Sequence, residues 1–395
     1  MNTLISKLVR LIKRRVFTSN LYYSLGLLRR APYVRRKQAE AWGDKKGTLR
    51  ILADLLVILW RDHGHIQAYY TKVKGMVDDY FVMRMYLRDR SVNDYVLDFV
   101  SLYIMHFAAG ENRSHYNVID DKHSFWDYMH ERGFPVTGRL GNIVVQPGAQ
   151  PLWEQPGGGT LPVTELLKRY PQVFCKPADG TQGKLCGKWE WIDDGTLSFN
   201  NRVCPYGELR QLVQHNLLVE EVLVNHPDIA RFHPASCNTL RLITLCKPGG
   251  EDLRLHFACL RMGVGNGQTD NFSNSGIGVR IMPDGRLAEL GWFRDSRLGP
   301  VAEHPDSHIV FKDCCIPMWN ECVELVLKAH EVMKDKICGV GWDIVVTEQG
   351  PLILEANPYF GIGLPQSAGL GFRKILFRDY LPTAMKYAKA VHFPL

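Results

Sequence analysis

The chain lacks the signatures by which many enzymes are first recognised. There is no G-x-S-x-G, so no nucleophile elbow of the α/β-hydrolase kind. There is no H-E-x-x-H, and the fourteen histidines show no ligand spacing beyond His63-Gly-His65. The ten cysteines contain no C-x-x-C pair, which argues against a structural zinc site. Scattered thiols fit a reducing cytosol better than a secreted disulfide framework. No apolar run reaches the ~18–20 residues of a membrane span. ILADLLVILW is broken by Asp54, and YVLDFVSLYIM by Asp98. Internal repeats and low-complexity tracts are also missing.

What is present is an ordinary globular composition in 395 residues, 46% hydrophobic and 23% charged, enough for two or three compact units. The net charge of +7 is unevenly spread. Residues 1–50 hold 13 Lys+Arg against 2 Asp+Glu; the remainder holds 35 against 39. A body with more acids than bases argues against a nucleic-acid partner. The basic segment begins LISKLVRLIKRRVF, with Leu4, Ile5, Leu8, Ile12 and Val16 at helical spacing and Lys7, Arg10, Lys13 and Arg14 between them. Such a helix suits an anionic membrane surface or packs on the body with its charges in water. Charges interrupt any signal-peptide core. The expected location is cytoplasmic, with residues 1–45 able to meet the inner face of a membrane.

Residues 47–110 read as mostly helical. HSFWDYMHERGFPV predicts a helix ending at Gly133 with Pro135 beyond it. GNIVVQPGAQPLWEQPGGGTLP reads as a linker or a strand-and-turn region. A short helix, a strand at Gln172–Lys176, a glycine loop and an alternating strand follow. From there to 295 strand patterns dominate, among them LLVEEVLVNH, NTLRLITLC, LRLHFACLRMG and GVRIMPDGRLAELGWF. MWNECVELVLKAHEVMK (318–334) predicts an amphipathic helix, GWDIVVTEQGPLILEAN a hairpin turning near Glu348–Gly350, and the region near Phe372–Val391 a closing helix. The class is α+β.

The hairpin carries the most chemistry. Its turn places Asp343 opposite residue 354 or 355, and Glu355 and Asn357 share one face of their strand. Two carboxylates and an amide oxygen are hard ligands suited to Mg²⁺. FCKPADGTQGKL (174–185) resembles a failed P-loop: Ala178 stands where G-x-x-x-x-G-K-[ST] needs glycine, and Leu185 where it needs a hydroxyl. Lys176 ends an apolar strand and can meet phosphate as a point charge. The loop amides from Gly180 to Gly183, beside Lys184, can add donors. In LLVEEVLVNH, Glu220 and Glu221 are neighbours in a strand and face opposite ways. Arg241 and Arg261 lie inside apolar strands and need an anion, either an internal carboxylate or a phosphate. Asn238 and Asn271 lie nearby.

A strand lysine, a glycine loop, E-E-V-L, strand arginines and D…E-x-N, in this order from about Asp121 to Gln366, resemble the ATP-grasp superfamily. NTLRLITL, DNFSNSGIGV and LEANPYFGIGLPQ look most like its sugar-transfer-associated group, which is linked to bacterial surface polysaccharide synthesis. The resemblance implies an ATP-grasp fold of two α+β subdomains gripping ATP. It is preceded by a basic segment (1–46) and a helical region (47–114). The first subdomain, with its pre-grasp part, would span 115–215 and the second 216–395.

Lys176 would bind phosphate under the loop of Gly180, Gly183 and Lys184. The Glu220–Leu223 backbone would meet adenine beside Glu221. His226 would hold ribose, and Asn271 would lie in the nucleotide site. Asp343, Glu355 and Asn357 would hold two Mg²⁺ ions, and Arg241 and Arg261 would stabilise the transferring phosphoryl group. The implied reaction is ligation of a carboxylic acid to an amine, thiol or glycan acceptor through an acyl phosphate. A kinase acting on a hydroxyl and a non-catalytic nucleotide-binding partner of glycan enzymes are the alternatives.

Overall fold

The structure, a computed structural model, describes residues 20–66, 73–146, 148–177, 187–199, 202–266, 270, 272 and 276–390. Helices α1 (Asn20–Arg29), α2 (Ala31–Glu40), α3 (Thr48–Ile66), α4 (Val73–Val82), α5 (Asp98–Ala108), α6 (Arg113–Asp120) and α7 (Lys122–His130) come first. The start of α7 follows from its cap: the Asp121 carboxylate accepts the Ser124 amide at 2.8 Å. It stops before Gly133, whose φ of 72° favours glycine.

The chain then enters an eight-stranded antiparallel sheet made of β1 (Arg139–Val144), β2 (Leu152–Glu154), β3 (Thr160–Pro162), β4 (Gln172–Pro177), β5 (Gly187–Asp193), β6 (Thr196–Phe199), β7 (Arg202–Pro205) and β8 (Leu217–Glu220). Its order is β3-β2-β1-β8-β4-β5-β6-β7. The Gly- and Pro-rich stretch is thus strand and turn, β1 to β3. Helix α8 (Val163–Arg169) buries Val163, Leu166 and Leu167 against this sheet.

A second antiparallel sheet holds β9 (Thr239–Leu245), β10 (Arg254–Met262), β11 (Ile277–Ile281), β12 (Leu287–Phe293), β13 (Gly339–Thr347) and β14 (Gly350–Asn357), in the order β12-β11-β10-β9-β13-β14. Both of its faces are covered. Leu240 and Leu242 face α6, α7 and helix α9 (Trp319–Glu331), which buries Trp319, Cys322, Val326 and Ala329 at helical spacing. Ile243 and Leu245, at odd steps from these, point to the other face, toward α1–α5 and the closing helix α10 (Leu381–Ala390). The N-terminal helices therefore share one core with this sheet. A single π turn, Leu376–Tyr380, precedes α10 inside the predicted closing helix.

LLVEEVLVNH is not one strand. Only Leu217–Glu220 is paired as a strand, between β1 and β4; β1 begins opposite Glu220 at Arg139, and the next amide, that of Glu221, turns to the Gly138 carbonyl. Residues 221–226 instead cross to the second sheet, where the His226 amide donates to the Val346 carbonyl at 2.7 Å. The earlier crossing is fixed likewise: the Ile353 amide donates to the Pro135 carbonyl at 2.9 Å. The Glu221 amide joins the two crossings through the Gly138 carbonyl, also at 2.9 Å.

Candidate active site

Lys176, next to last in β4, stands opposite Leu218, so Glu220 two residues on shares its face. Lys176 Nζ lies 2.8 Å from Glu220 Oε2, and Thr137 Oγ1 donates to Glu220 Oε1 at 3.0 Å. The lysine is 6% and the glutamate 3% exposed. Charges at that depth require a partner, so Glu220 fixes the ammonium in place. Glu221 is exposed on the other side, and a side chain at Gly138 would collide with its carboxylate. Leu223 is half-buried in the crossing. Among the described residues no backbone hydrogen bond reaches Val222, Leu223 or Val224. The His226 ring is engaged locally: Nδ1 accepts the Asp228 amide at 3.2 Å and caps the short helix Pro227–Ala230. Gly180, Gly183, Lys184 and Asn271 lie outside the described residues.

On the second sheet, register puts Glu355, Asp343 and Arg241 in one row across β14, β13 and β9. A bulge beside Asp343 sets Glu355, not residue 354, opposite it. Arg241 Nε donates to Asp343 Oδ1 at 2.5 Å and Nη2 to Oδ2 at 3.0 Å. Arg261 Nη2 approaches Asp343 Oδ2 at 3.1 Å and takes its other partners from Thr239 and Asp270. The anion that the strand arginines need is therefore internal here. Asn357 Nδ2 donates to Glu355 Oε1 and to the Gly341 carbonyl, both at 3.3 Å.

Burial works against charge on Asp343, but the two guanidiniums outweigh it and hold its carboxyl down at about 2. Glu355 moves upward, through burial first and then the Asp343 charge and the hydrogen bond between the two acids. The two carboxyls are thus pushed apart, Asp343 down by its arginines and Glu355 up by burial and the Asp343 charge. Lys176 pulls Glu355 back down, so the charges of the two sheets act in one electrostatic site. Among the described residues no group of three His, Cys, Asp or Glu is arranged for a metal. The candidate set is two carboxylates and an amide, with Asp343 partly neutralised by arginine.

Three contributors escape a motif-led reading: Thr137, Thr239 and Asp270. Thr239 shares the face of Arg241 at i−2, a signal present in the pattern but masked by its strand propensity. Asp270 accepts the Thr239 amide at 3.0 Å and reaches its hydroxyl, a contact between distant segments that no local spacing encodes.

A profile described as sugar-transfer associated ATP-grasp matches residues 107–376. No curated protein matches the sequence. Solved structures similar in fold include D-alanyl-alanine synthetase A of Vibrio cholerae, at 12% identity over 67% of this chain and 65% of that one, with a TM-score of 0.38. The ATP-grasp ligase PsnB, solved with a precursor peptide and AMPPNP, aligns at 13% identity over 69% and 61%, with a TM-score of 0.36. An L-amino acid ligase of Bacillus licheniformis aligns at 12% over 67% and 48%, again with 0.36. The chain spans less than two thirds of each of these structures. The match of the family profile, over most of the chain, carries the assignment: this protein belongs to the sugar-transfer associated ATP-grasp family.

Proposed function

We propose that the protein is an ATP- and magnesium-dependent ligase that joins a carboxylic acid to an amine through an acyl phosphate, in the synthesis or modification of cell-surface polysaccharide. The observation that supports this best is the meeting of Lys176 from one sheet with Asp343, Glu355, Arg241 and Arg261 from the other. Phosphoryl transfer asks a protein for positioning and charge neutralisation rather than for a nucleophile. Two adjoining acids, one raised by the charge of the other, are a donor set that a divalent cation relieves. Magnesium bound by Asp343, Glu355 and Asn357 would neutralise the β- and γ-phosphate oxygens of ATP.

Lys176 meets phosphate as a point charge, already desolvated and aimed by Glu220. The unpaired backbone at Val222–Val224 offers donors and acceptors to a purine edge. Arg261, released in part from Asp343, stabilises charge on the acid being phosphorylated. The amine then displaces phosphate.

The test is ADP release. It should require a carboxylic acid, and hydroxylamine should trap a hydroxamate. ADP formed with a polyol and no free phosphate would instead identify a kinase. Asp343→Asn and Glu355→Gln should each weaken Mg-ATP binding; normal affinity and turnover in both would remove the metal assignment.

Among the described residues no helix is long and apolar enough to cross a membrane. The basic segment LISKLVRLIKRRVF, outside the described residues, supports attachment to an anionic membrane surface.

A further inference from the structure

We propose that a second cleft, between α2, α4 and the segment after β12, binds the phosphate or diphosphate ester of a sugar. The inference rests on the ligase reading only in making this ester, where its sugar carries an amine, the acceptor whose amine displaces phosphate from the acyl phosphate. The cleft holds about 800 Å³, room for a ligand of nucleotide-sugar size.

Its charge is unbalanced in a specific way. Five cations and three acids, Glu40, Asp78 and Asp295, line it. Lys37 is paired with Asp78 at 3.2 Å and Arg297 with Asp295 at 2.6 Å. Arg36 and Lys74 on the helical wall, and Arg294 on the opposite wall, have no carboxylate within ion-pair distance among the described residues. Arg36, Lys37 and Lys74 crowd one ring, that of Tyr33, at 5.2, 5.7 and 6.0 Å from its centre. Like charges gathered on two walls of a cleft raise the local concentration of an anion and favour one that spans them. Phe272 adds a half-buried ring beside these cations, suited to the face of a sugar.

The cleft adjoins the candidate active site through two chain segments. Phe272 stands two residues beyond Asp270, the carboxylate that holds Arg261 and Thr239. Val82 lies beside the chain that leaves the Asn357 strand: Ser367 Oγ donates to its carbonyl at 2.7 Å. Arg294 also faces the acids Asp79 and Asp98, and Asp98 Oδ1 accepts the Ile362 amide at 2.8 Å. A ligand held by Arg294 would therefore sit against the segment that follows the metal hairpin.

Isothermal titration without ATP tests this, using glucose 1-phosphate, UDP-glucose, a polyprenyl diphosphate-linked glucose in neutral vesicles, and glucose as the uncharged comparison. At least one phosphate probe should bind, glucose should not, and the probe that binds tells a soluble donor from a lipid-linked one. The triple variant Arg36→Gln, Lys74→Gln, Arg294→Gln should lose about tenfold or more in affinity. Its Mg-ATP affinity should be unchanged. Should the triple variant not fold, Arg294→Lys retaining binding and Arg294→Glu losing it carry the same decision. Equal binding of phosphate probes and glucose, or unaltered binding in the variants, overturns the proposal. Phosphate-ester binding without acid-dependent ADP formation would leave the cleft standing and the ligase reading lost; the reverse result would do the opposite.

Discussion

Lys176 and Glu220 form a buried pair, and such pairs punish the loss of one member more than the loss of both. Lys176→Ala should cut turnover about a hundredfold or more, as removal of a group aimed at transition-state charge does. It should also lower stability by roughly 3–5 kcal/mol, because it leaves Glu220 uncompensated. Adding Glu220→Gln should recover stability but not turnover; chemical denaturation and ADP release separate the two effects. Asp79 gives a pH test. Burial, then the Asp98 charge, raises its carboxyl to about 7. An acid raised on folding favours the protonated native state. Its contribution is present in full below the unfolded value near 4 and is lost as pH rises through 7. Asp79→Asn, which keeps an oxygen for the Asp98 amide, should therefore raise the melting temperature by about 1–3 °C at pH 8. The gain should shrink toward pH 5; an equal gain at both values would contradict the assignment.

At the scale of elements, the β13–β14 hairpin was legible in advance because turn length and the period of two determine which side chains meet. The period puts Glu355 and Asn357 on one face, but the bulge beside Asp343, which no spacing shows, decides that Glu355 and not residue 354 stands opposite it. The crossing 221–226 was not legible as a crossing. Its residues are as strand-prone as those of β8, and the absence of a partner from β1 beyond Arg139 ends the ladder on that side. That absence has a consequence for nucleotide binding. Leu223→Pro removes a backbone donor where a purine edge would dock and should raise the KM for ATP about three- to tenfold, as one net hydrogen bond does. Leu223→Ala should leave KM nearly unchanged, since the side chain is not what recognises the base. Equal KM values in both variants would argue against backbone recognition there.

Across the whole molecule, the α+β class was readable from periodicity, but the partner of the N-terminal helices was not. Apolar stripes on α1–α5 announce burial without naming the surface that buries them. The answer lies in Tyr23, Leu27 and Val34, which sit in one core with Ile243, Leu245 and Phe360. Two deletions should consequently behave differently. Removing residues 1–19 should abolish flotation with anionic vesicles, and salt should weaken the flotation of the intact chain. Removing residues 1–46 strips core side chains and should cost several kcal/mol of stability. Vesicle binding that survives the shorter deletion would end the membrane proposal.

The two chain crossings give the molecule an axle. One is tied to β13 through His226 and Val346, the other to β14 through Pro135 and Ile353, and Glu221 and Gly138 clasp them together. Any swing of one sheet against the other must bend these crossings, and both are pinned to the hairpin that bears Asp343 and Glu355. The acidic pair thus sits near the pivot, at the short end of the lever. Lys176, paired with Glu220 beside that clasp, lies close to the same pivot.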